Sequence, residues 1–371
     1  MSKILNFCKK VNTKLKFASA KILTRKPRKV EGNIALVFFG GLGDGVILLP
    51  YINSILRFYK DKNVVMICNK NVSELFKNYT DLNDIITTEN HKDFLTEKIK
   101  LYKSLQKYYF EKMIDLNFSR VEIMNGFVAK HINAPVKICM QGDEVNMINP
   151  VNVNALYTEI LPIGTNVNEI CNFNAYLNVL GIENLPDISY LKKYVKEVKG
   201  SEYVVFAVGA SLKYRIWPIE KWIEVAKKLL EETSYNIVVC GSSAESEYFD
   251  MIKSNLKSDR IINACGGTTL GELVDLLGNS KFVLANDSGP AHIASSTGVN
   301  GLVLLGGGFN YRYFPHIDNL SNRTNVDVVF EKYDCWGCKW LCNQDDKFKC
   351  IKNIDVNSVL KVMREKGILP K

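Results

Sequence analysis

The run Lys281–Gly306, KFVLANDSGPAHIASSTGVNGLVLLG, holds a strand, a sharp turn, a helix and a second strand in immediate succession. Phe282–Ala285 and Leu302–Leu305 are short apolar stretches of the kind that parallel strands buried on both faces show, and Pro290–Ser296 between them has helical length. The same alternation extends outward on the N-terminal side. Strands are expected at Tyr203–Val208, Asn236–Cys240 and Ile261–Asn263, with helices over Pro218–Glu231, Ala244–Leu256 and Thr269–Leu277. Alternation at that spacing predicts a doubly wound parallel sheet with right-handed crossovers.

A second, less regular set precedes it. Asn33–Phe39 (NIALVFF) reads as a buried strand, Val46–Tyr59 as a helix and Asn63–Cys68 (NVVMIC) as the next strand, with Met113–Leu116 as a further candidate. The Asn-rich region 141–174 resists assignment. The chain has 371 residues, more than one core usually serves, so two domains are expected. The fold class is α/β: two Rossmann-like doubly wound parallel-sheet domains facing a cleft. Residues 30–190 would form the first and 201–350 the second, with the mixed, charged stretch 191–200 (LKKYVKEVKG) as linker. A C-terminal helix within 351–371 is expected to pack back on the first domain.

Ligands in such sheets bind beyond the carboxyl ends of strands, which singles out three loops. The first, FFGGLGDGVILLP (Phe38–Pro50), resembles a dinucleotide turn, yet counting from Gly41 through Gly43 and Gly45 places Val46 where the last glycine belongs. Asp44 at the start of a helix would repel a phosphate there, so it is either a helix cap or a catalytic carboxylate. The second loop, VGASLKYRIWPIEKW, places Ser211, Lys213 and Arg215 before a helix, a combination suited to a diphosphate or to a plain basic surface. In the third, Asp287, Ser288, Gly289 and Pro290 open a helix whose first amides suit a phosphate. Asp287 would meet a sugar or cap the helix, and His292 is expected as polar lining rather than a metal ligand.

GGLGD followed by LLP, GAS-x-x-x-R-x-WP and NDSGPAHIA-x-x-x-GV, in this order, resemble the motifs of the heptosyltransferase family, glycosyltransferase family nine, over residues 33–362. The resemblance implies a GT-B fold and an inverting transfer of a sugar, heptose from ADP-heptose, to a hydroxyl of a lipopolysaccharide-core or similar cell-envelope saccharide. It implies no metal or cofactor in the chemistry. Carried onto this sequence, Asp44 is the general base, while Ser211, Arg215, Asp287, Ser288 and Gly289 bind the donor with Lys213, Pro290 and His292 nearby. Glu245 is the candidate for the nucleotide sugar. Arg215 stands where the family more often has Lys, and Asn300-Gly301 replaces an apolar-Pro pair. Rival readings are a protein O-heptosyltransferase and a non-catalytic sugar-nucleotide-binding protein. A dehydrogenase is disfavoured by the broken glycine pattern.

Composition bounds the rest. Apolar residues make up 47% and charged ones 23%, the balance of a folded protein. Residues 1–29 carry ten of the 48 basic residues and no acidic one, so the net charge of +9 belongs to this arm. Ile4, Phe7, Val11, Leu15, Ala18 and Ile22 recur at helical spacing, giving a basic amphipathic helix suited to an anionic membrane surface or to its own protein. No apolar run spans a bilayer and no secretory pattern is present, so the expected location is cytoplasmic, peripheral on the inner face of the membrane. Slight aromatic interleaving argues against nucleic acid. Ten cysteines without an export signal are expected to be reduced. Four of them, Cys335, Cys338, Cys342 and Cys350, have spacing compatible with a structural zinc site. A family branch that glycosylates autotransporters extends that expectation to iron.

Overall fold

The computed structural model describes residues 32–89, 94–120, 122–142, 153–163, 168–183, 187–198, 200, 202–309, 311–316 and 324–371. The basic arm at residues 1–29 lies outside the described residues. Asn33–Phe38 (β1), Asn63–Asn69 (β2), Asp84–Thr88 (β3), Phe110–Asp115 (β4), Val136–Met140 (β5) and Glu159–Leu161 (β6) form a six-stranded sheet in the order β3-β2-β1-β4-β5-β6. All its pairings are parallel. Tyr203–Ala207 (β7), Asn236–Gly241 (β8), Ile261–Cys265 (β9), Phe282–Asn286 (β10), Gly301–Leu304 (β11) and Val326–Val329 (β12) form a second parallel sheet, ordered β12-β11-β10-β7-β8-β9. Both sheets start centrally, wind one way for three strands, then cross to the other side. Their switch points lie between β1 and β4 and between β7 and β10, where ligands of such sheets bind.

The chain divides into two compact units. The first comprises Met1–Gly41, Ile52–Thr165 and Tyr176–Glu183; the second comprises Leu42–Tyr51, Asn166–Ala175 and Asn184–Lys371. In the first, Ala35, Val37, Val65, Ile67, Phe110 and Met113 belong to a buried core. Asparagines fix the backbone where β1 ends. Asn117 Oδ1 accepts from the Phe39 amide at 2.8 Å, Asn117 Nδ2 donates to the Val37 carbonyl at 3.1 Å, and Asn69 Nδ2 donates to the Phe39 carbonyl at 3.2 Å. The helix after β1 runs Leu42–Phe58, starting earlier than the expected Val46 and containing Pro50. Gly43 and Gly45 lie in its first turns, and glycine lowers helix propensity by about 1 kcal/mol, which hides that start from a sequence reading.

In the second unit, Val204, Phe206, Trp217, Trp222, Leu284 and Leu302 belong to the core. Residues 191–200, expected as a linker, contribute to this unit. Leu191 is buried with its amide donating to Ser296 Oγ at 3.1 Å, and the Lys196 amide donates to Asp275 Oδ1 at 2.8 Å. The C-terminal helix Val356–Glu365, expected on the first domain, puts Val356, Val359, Leu360 and Met363 into this same second core. Its strong amphipathic spacing explains why one face must be covered; the spacing alone does not say by what.

Asn286, fully buried at the end of β10, joins the two candidate donor loops. Its Oδ1 accepts from the Trp217 amide at 3.1 Å and its Nδ2 donates to the Val208 carbonyl at 2.7 Å. Asn286→Ala strands both buried groups, each costing about 1–3 kcal/mol, so the second unit should lose about 2–6 kcal/mol. All four tryptophans lie in that unit. Urea unfolding followed by tryptophan fluorescence therefore measures this loss directly, and an unchanged midpoint would refute the bridge.

Candidate functional site

The loop after β7 turns through Lys213–Arg215 as a short 3₁₀ segment before the helix Ile219–Glu232. Ser211 and Lys213 are exposed, whereas Arg215 is half-buried. The Arg215 guanidinium lies over the rings of Phe309, at 5.2 Å, and Trp340, at 4.9 Å. Its Nε is buried with no hydrogen-bond partner. A permanently charged group with an unused buried donor is suited to an anion, and the planar guanidinium matches a phosphate.

The loop after β10 faces the same cation. Asp287 is buried, and its carboxyl is pushed up to about 6 by burial first, against the pull of Arg215 and with a push from Asp44. Ser288 Oγ donates to the Asn286 carbonyl at 3.2 Å and makes no cap bond, so the helix Gly289–Thr297 begins without a side-chain cap. Pro290 occupies its first turn. A Cβ on Gly289 would sit 3.0 Å from Leu42 Cδ2. His292 lies one turn in, its Nε2 3.9 Å from Asp287 Oδ1 and its Nδ1 2.9 Å from His316 Nε2. Its ring stacks on Phe314 at 4.3 Å. Burial, the second imidazole and Arg215 hold His292 well below the usual histidine range, and burial brings His316 down to about 3. Both rings are therefore neutral, one donating to the other.

Asp44 is in the first turn of the helix Leu42–Phe58, within electrostatic reach of Asp287, Arg312 and Tyr313. Gly43 beside it admits no side chain: a Cβ would lie 2.3 Å from His292 Cδ2. Gly45 is buried and Gly41 exposed. The structure thus brings Asp44, Asp287, Ser288, Arg215 and His292 together in the second unit. It also brings in a segment that sequence reasoning missed, 311–316. Arg312 pairs with Glu169, Nε to Oε2 at 2.8 Å, and the Tyr313 phenol is raised well above its ordinary range by burial and then by Asp44. No motif marks these residues; the only signal was a cluster of Arg, Tyr and His just beyond a strand.

Glu245 is placed differently from a simple ligand. Its Oε2 accepts from the Ser242 amide at 2.6 Å in a capping box. Its side chain also covers Gly209 and Gly241, where a Cβ would fall 2.6 and 2.9 Å from its atoms. Cys335, Cys338, Cys342 and Cys350 are free thiols lining one small cavity with Trp336 and Trp340. Among the described residues no group of three or more His, Cys, Asp or Glu side chains is arranged to hold a metal ion. The expected zinc or iron site therefore finds no fitting ligand set in these four thiols.

Residues 99–307 match the family described as glycosyltransferase family 9 (heptosyltransferase). Lipopolysaccharide heptosyltransferase 1 of Campylobacter coli is 19% identical over 359 residues, covering 90% of this chain and 98% of the relative. Among solved structures, a family 9 glycosyl transferase of Veillonella parvula superposes with TM-score 0.67 at 16% identity, covering 92% of this chain and 99% of the other. Escherichia coli heptosyltransferase WaaC with ADP superposes with TM-score 0.64 at 15% identity, covering 90% and 98%. The α/β fold is that of the GT-B glycosyltransferases. The chain belongs to glycosyltransferase family 9 and is a glycosyltransferase.

The neutral histidine pair has a measurable consequence. Below pH ~6.5 the unfolded chain protonates both imidazoles while the folded chain does not, so each removes about 1.4 kcal/mol of stability per pH unit as pH falls. Asp287, with its folded value raised, works in the opposite sense between pH 6 and its unfolded value near 4. His316→Phe removes one imidazole, so the difference in unfolding free energy between wild type and variant should shift in the variant's favour as pH drops from 7 to 5. A difference independent of pH would show that His316 is not held neutral.

Proposed function

We propose that this chain transfers a heptosyl group from ADP-heptose to a hydroxyl of a lipopolysaccharide-core saccharide, with inversion at the anomeric carbon and Asp44 as general base. The observation that carries the reading is the grouping of Asp44, Asp287 and the unsatisfied Arg215 in one unit. The Campylobacter coli relative, a lipopolysaccharide heptosyltransferase, and the Escherichia coli heptosyltransferase solved with ADP support the acceptor and the nucleotide.

In this reading the diphosphate lies against Arg215, Ser211, Ser288 and the amides opening the helix Gly289–Thr297, with Lys213 supplying further positive charge. Negative charge grows on the diphosphate as its bond to the anomeric carbon breaks, and fixed donors stabilise it there. The acceptor oxygen forms the new bond from the opposite face while Asp44 takes its proton. Glu245, already braced over Gly209 and Gly241, is the proposed partner of the nucleotide sugar, and Asp287 and His292 complete the wall beside Ser288. None of these steps needs a metal.

Asp44→Asn should lower transfer by about 10²–10⁴-fold, the span of general-base contributions, with ADP affinity nearly unchanged. Product formation by mass spectrometry and ADP titration by calorimetry check the two halves. Loss of ADP binding with the charge would instead make Asp44 a helix cap.

We further propose a peripheral membrane location, through the basic arm at residues 1–29. Among the described residues no helix is long and apolar enough to cross a membrane. Each basic residue near an anionic surface contributes about 1 kcal/mol. Deleting residues 1–29 should move the protein from sedimented phosphatidylglycerol vesicles to the supernatant at moderate salt. Equal sedimentation of both forms would refute the arm's role.

A further inference from the structure

The cysteine-bearing segment has no part in the chemistry above, yet its tryptophans are packed against the loop that follows β11. A Cβ on Gly306 would come within 2.3 Å of Trp340 Cη2, one on Gly308 within 2.2 Å of Trp340 Cε2, and one on Gly307 within 2.7 Å of Trp336 Cε3. Three consecutive glycines are needed because two indoles occupy the space of their side chains. The backbones are tied as well: the Gly337 amide donates to the Gly307 carbonyl at 2.6 Å and the Lys339 amide to the Gly308 carbonyl at 2.7 Å. Lys339 and Trp340 have φ of 53° and 64°, left-handed values that non-glycine residues adopt only where surroundings enforce them. The segment is therefore held in a specific shape around Trp340, which is 7% exposed.

That shape ends on the donor loop. The Trp340 ring lies 4.9 Å from the Arg215 guanidinium carbon and 5.4 Å from the Tyr214 ring centroid, while Phe348 stacks on Tyr214 at 4.5 Å and 10°. Phe309, just beyond the three glycines, lies 5.2 Å from the same guanidinium carbon. Arg215 thus rests against two aromatic rings with its Nε buried and unused.

We infer that Trp340 is a positioning residue for the donor diphosphate: by stacking on Arg215 it holds the guanidinium ready for the anion, which makes the cysteine-bearing segment a wall of the donor site. The inference rests on the reading that Arg215 binds the donor diphosphate. Stacking of a cation on an indole costs the bound state little entropy, because the long side chain is ordered before the ligand arrives.

The probe is ADP, titrated calorimetrically into the full chain. Trp340→Leu should weaken ADP binding by about 3–30-fold, the span of a cation–π contact, and Trp340→Phe should recover most of it. In an Arg215→Gln background the Trp340→Leu change should have no further effect. Because Trp340→Leu also opens a buried site, a second measurement avoids any loss of folding. Uniform fluorotryptophan labelling, which weakens the ring's negative face without changing its fit, should weaken ADP binding in the wild type and leave it unchanged in Trp340→Phe. Equal weakening by Trp340→Leu with and without Arg215, or a labelling effect that persists in Trp340→Phe, overturns the inference alone. Unchanged ADP affinity in Arg215→Gln would instead overturn the donor reading on which it rests.

Discussion

The imidazole of His292 is the constraint to which the candidate site is fitted. Buried, neutral, hydrogen-bonded to His316 and stacked on Phe314, it has no freedom to turn. Its Cδ2 edge fills the place of a side chain at position 43, so the residue before Asp44 has to be glycine even inside a helical turn. Its Nε2 faces Asp287 Oδ1 at 3.9 Å, and because the ring is uncharged it leaves that carboxyl without a formal countercharge on this side. One ring thereby excludes a side chain at position 43 and lines the environment of Asp287.

The two sheets share a strand order but use their switch points differently. In the first unit, polar side chains at strand ends are consumed internally. Asp115 accepts from Tyr157 OH at 2.5 Å, from Asn117 Nδ2 at 2.6 Å and from Asn125 Nδ2 at 3.0 Å, while Asn117 and Asn69 secure the backbone of Phe39. A buried carboxylate satisfied in this way is structural. In the second unit, Asn286 plays the equivalent bracing part, and beyond it Arg215 Nε retains an unused donor while the helix after Ser288 begins with no side-chain cap.

Much of this was legible in the sequence. The strands of the second unit read as continuous apolar runs because both faces of a parallel sheet are covered, and the three loops follow from where those runs stop. What escaped lacks periodicity. The helix start at Leu42 is hidden by Gly43 and Gly45, and the reason for Gly43 is a ring almost 250 residues away in the chain. Residues 311–316 form no regular element, so Arg312 and Tyr313 carry no pattern to read, and the partner of Arg312, Glu169, lies in the Asn-rich region that resists assignment. The four cysteines have spacing compatible with a metal site, but spacing reports neither direction nor distance. The tryptophans between them, unremarked in sequence, make the contacts that reach the site.

Two carboxylates within electrostatic reach of one another rarely take the same part. Asp287 is the one that burial favours in its protonated form, near pH 6, so at neutrality its charge is held at some cost. Asp44 stands in the first turn of a helix, where the macrodipole stabilises negative charge, and in the field of Arg312, whose guanidinium Glu169 fixes in place. A base must be an anion before the reaction and tolerate neutrality after it. The charge of Asp44 is felt on both sides, raising Arg312 and Asp287 alike. A residue serving only as a cap would need the helix amides and nothing more; the surroundings of Asp44 contain a cation, a phenol and a second carboxylate besides, which supports the proposed general-base role.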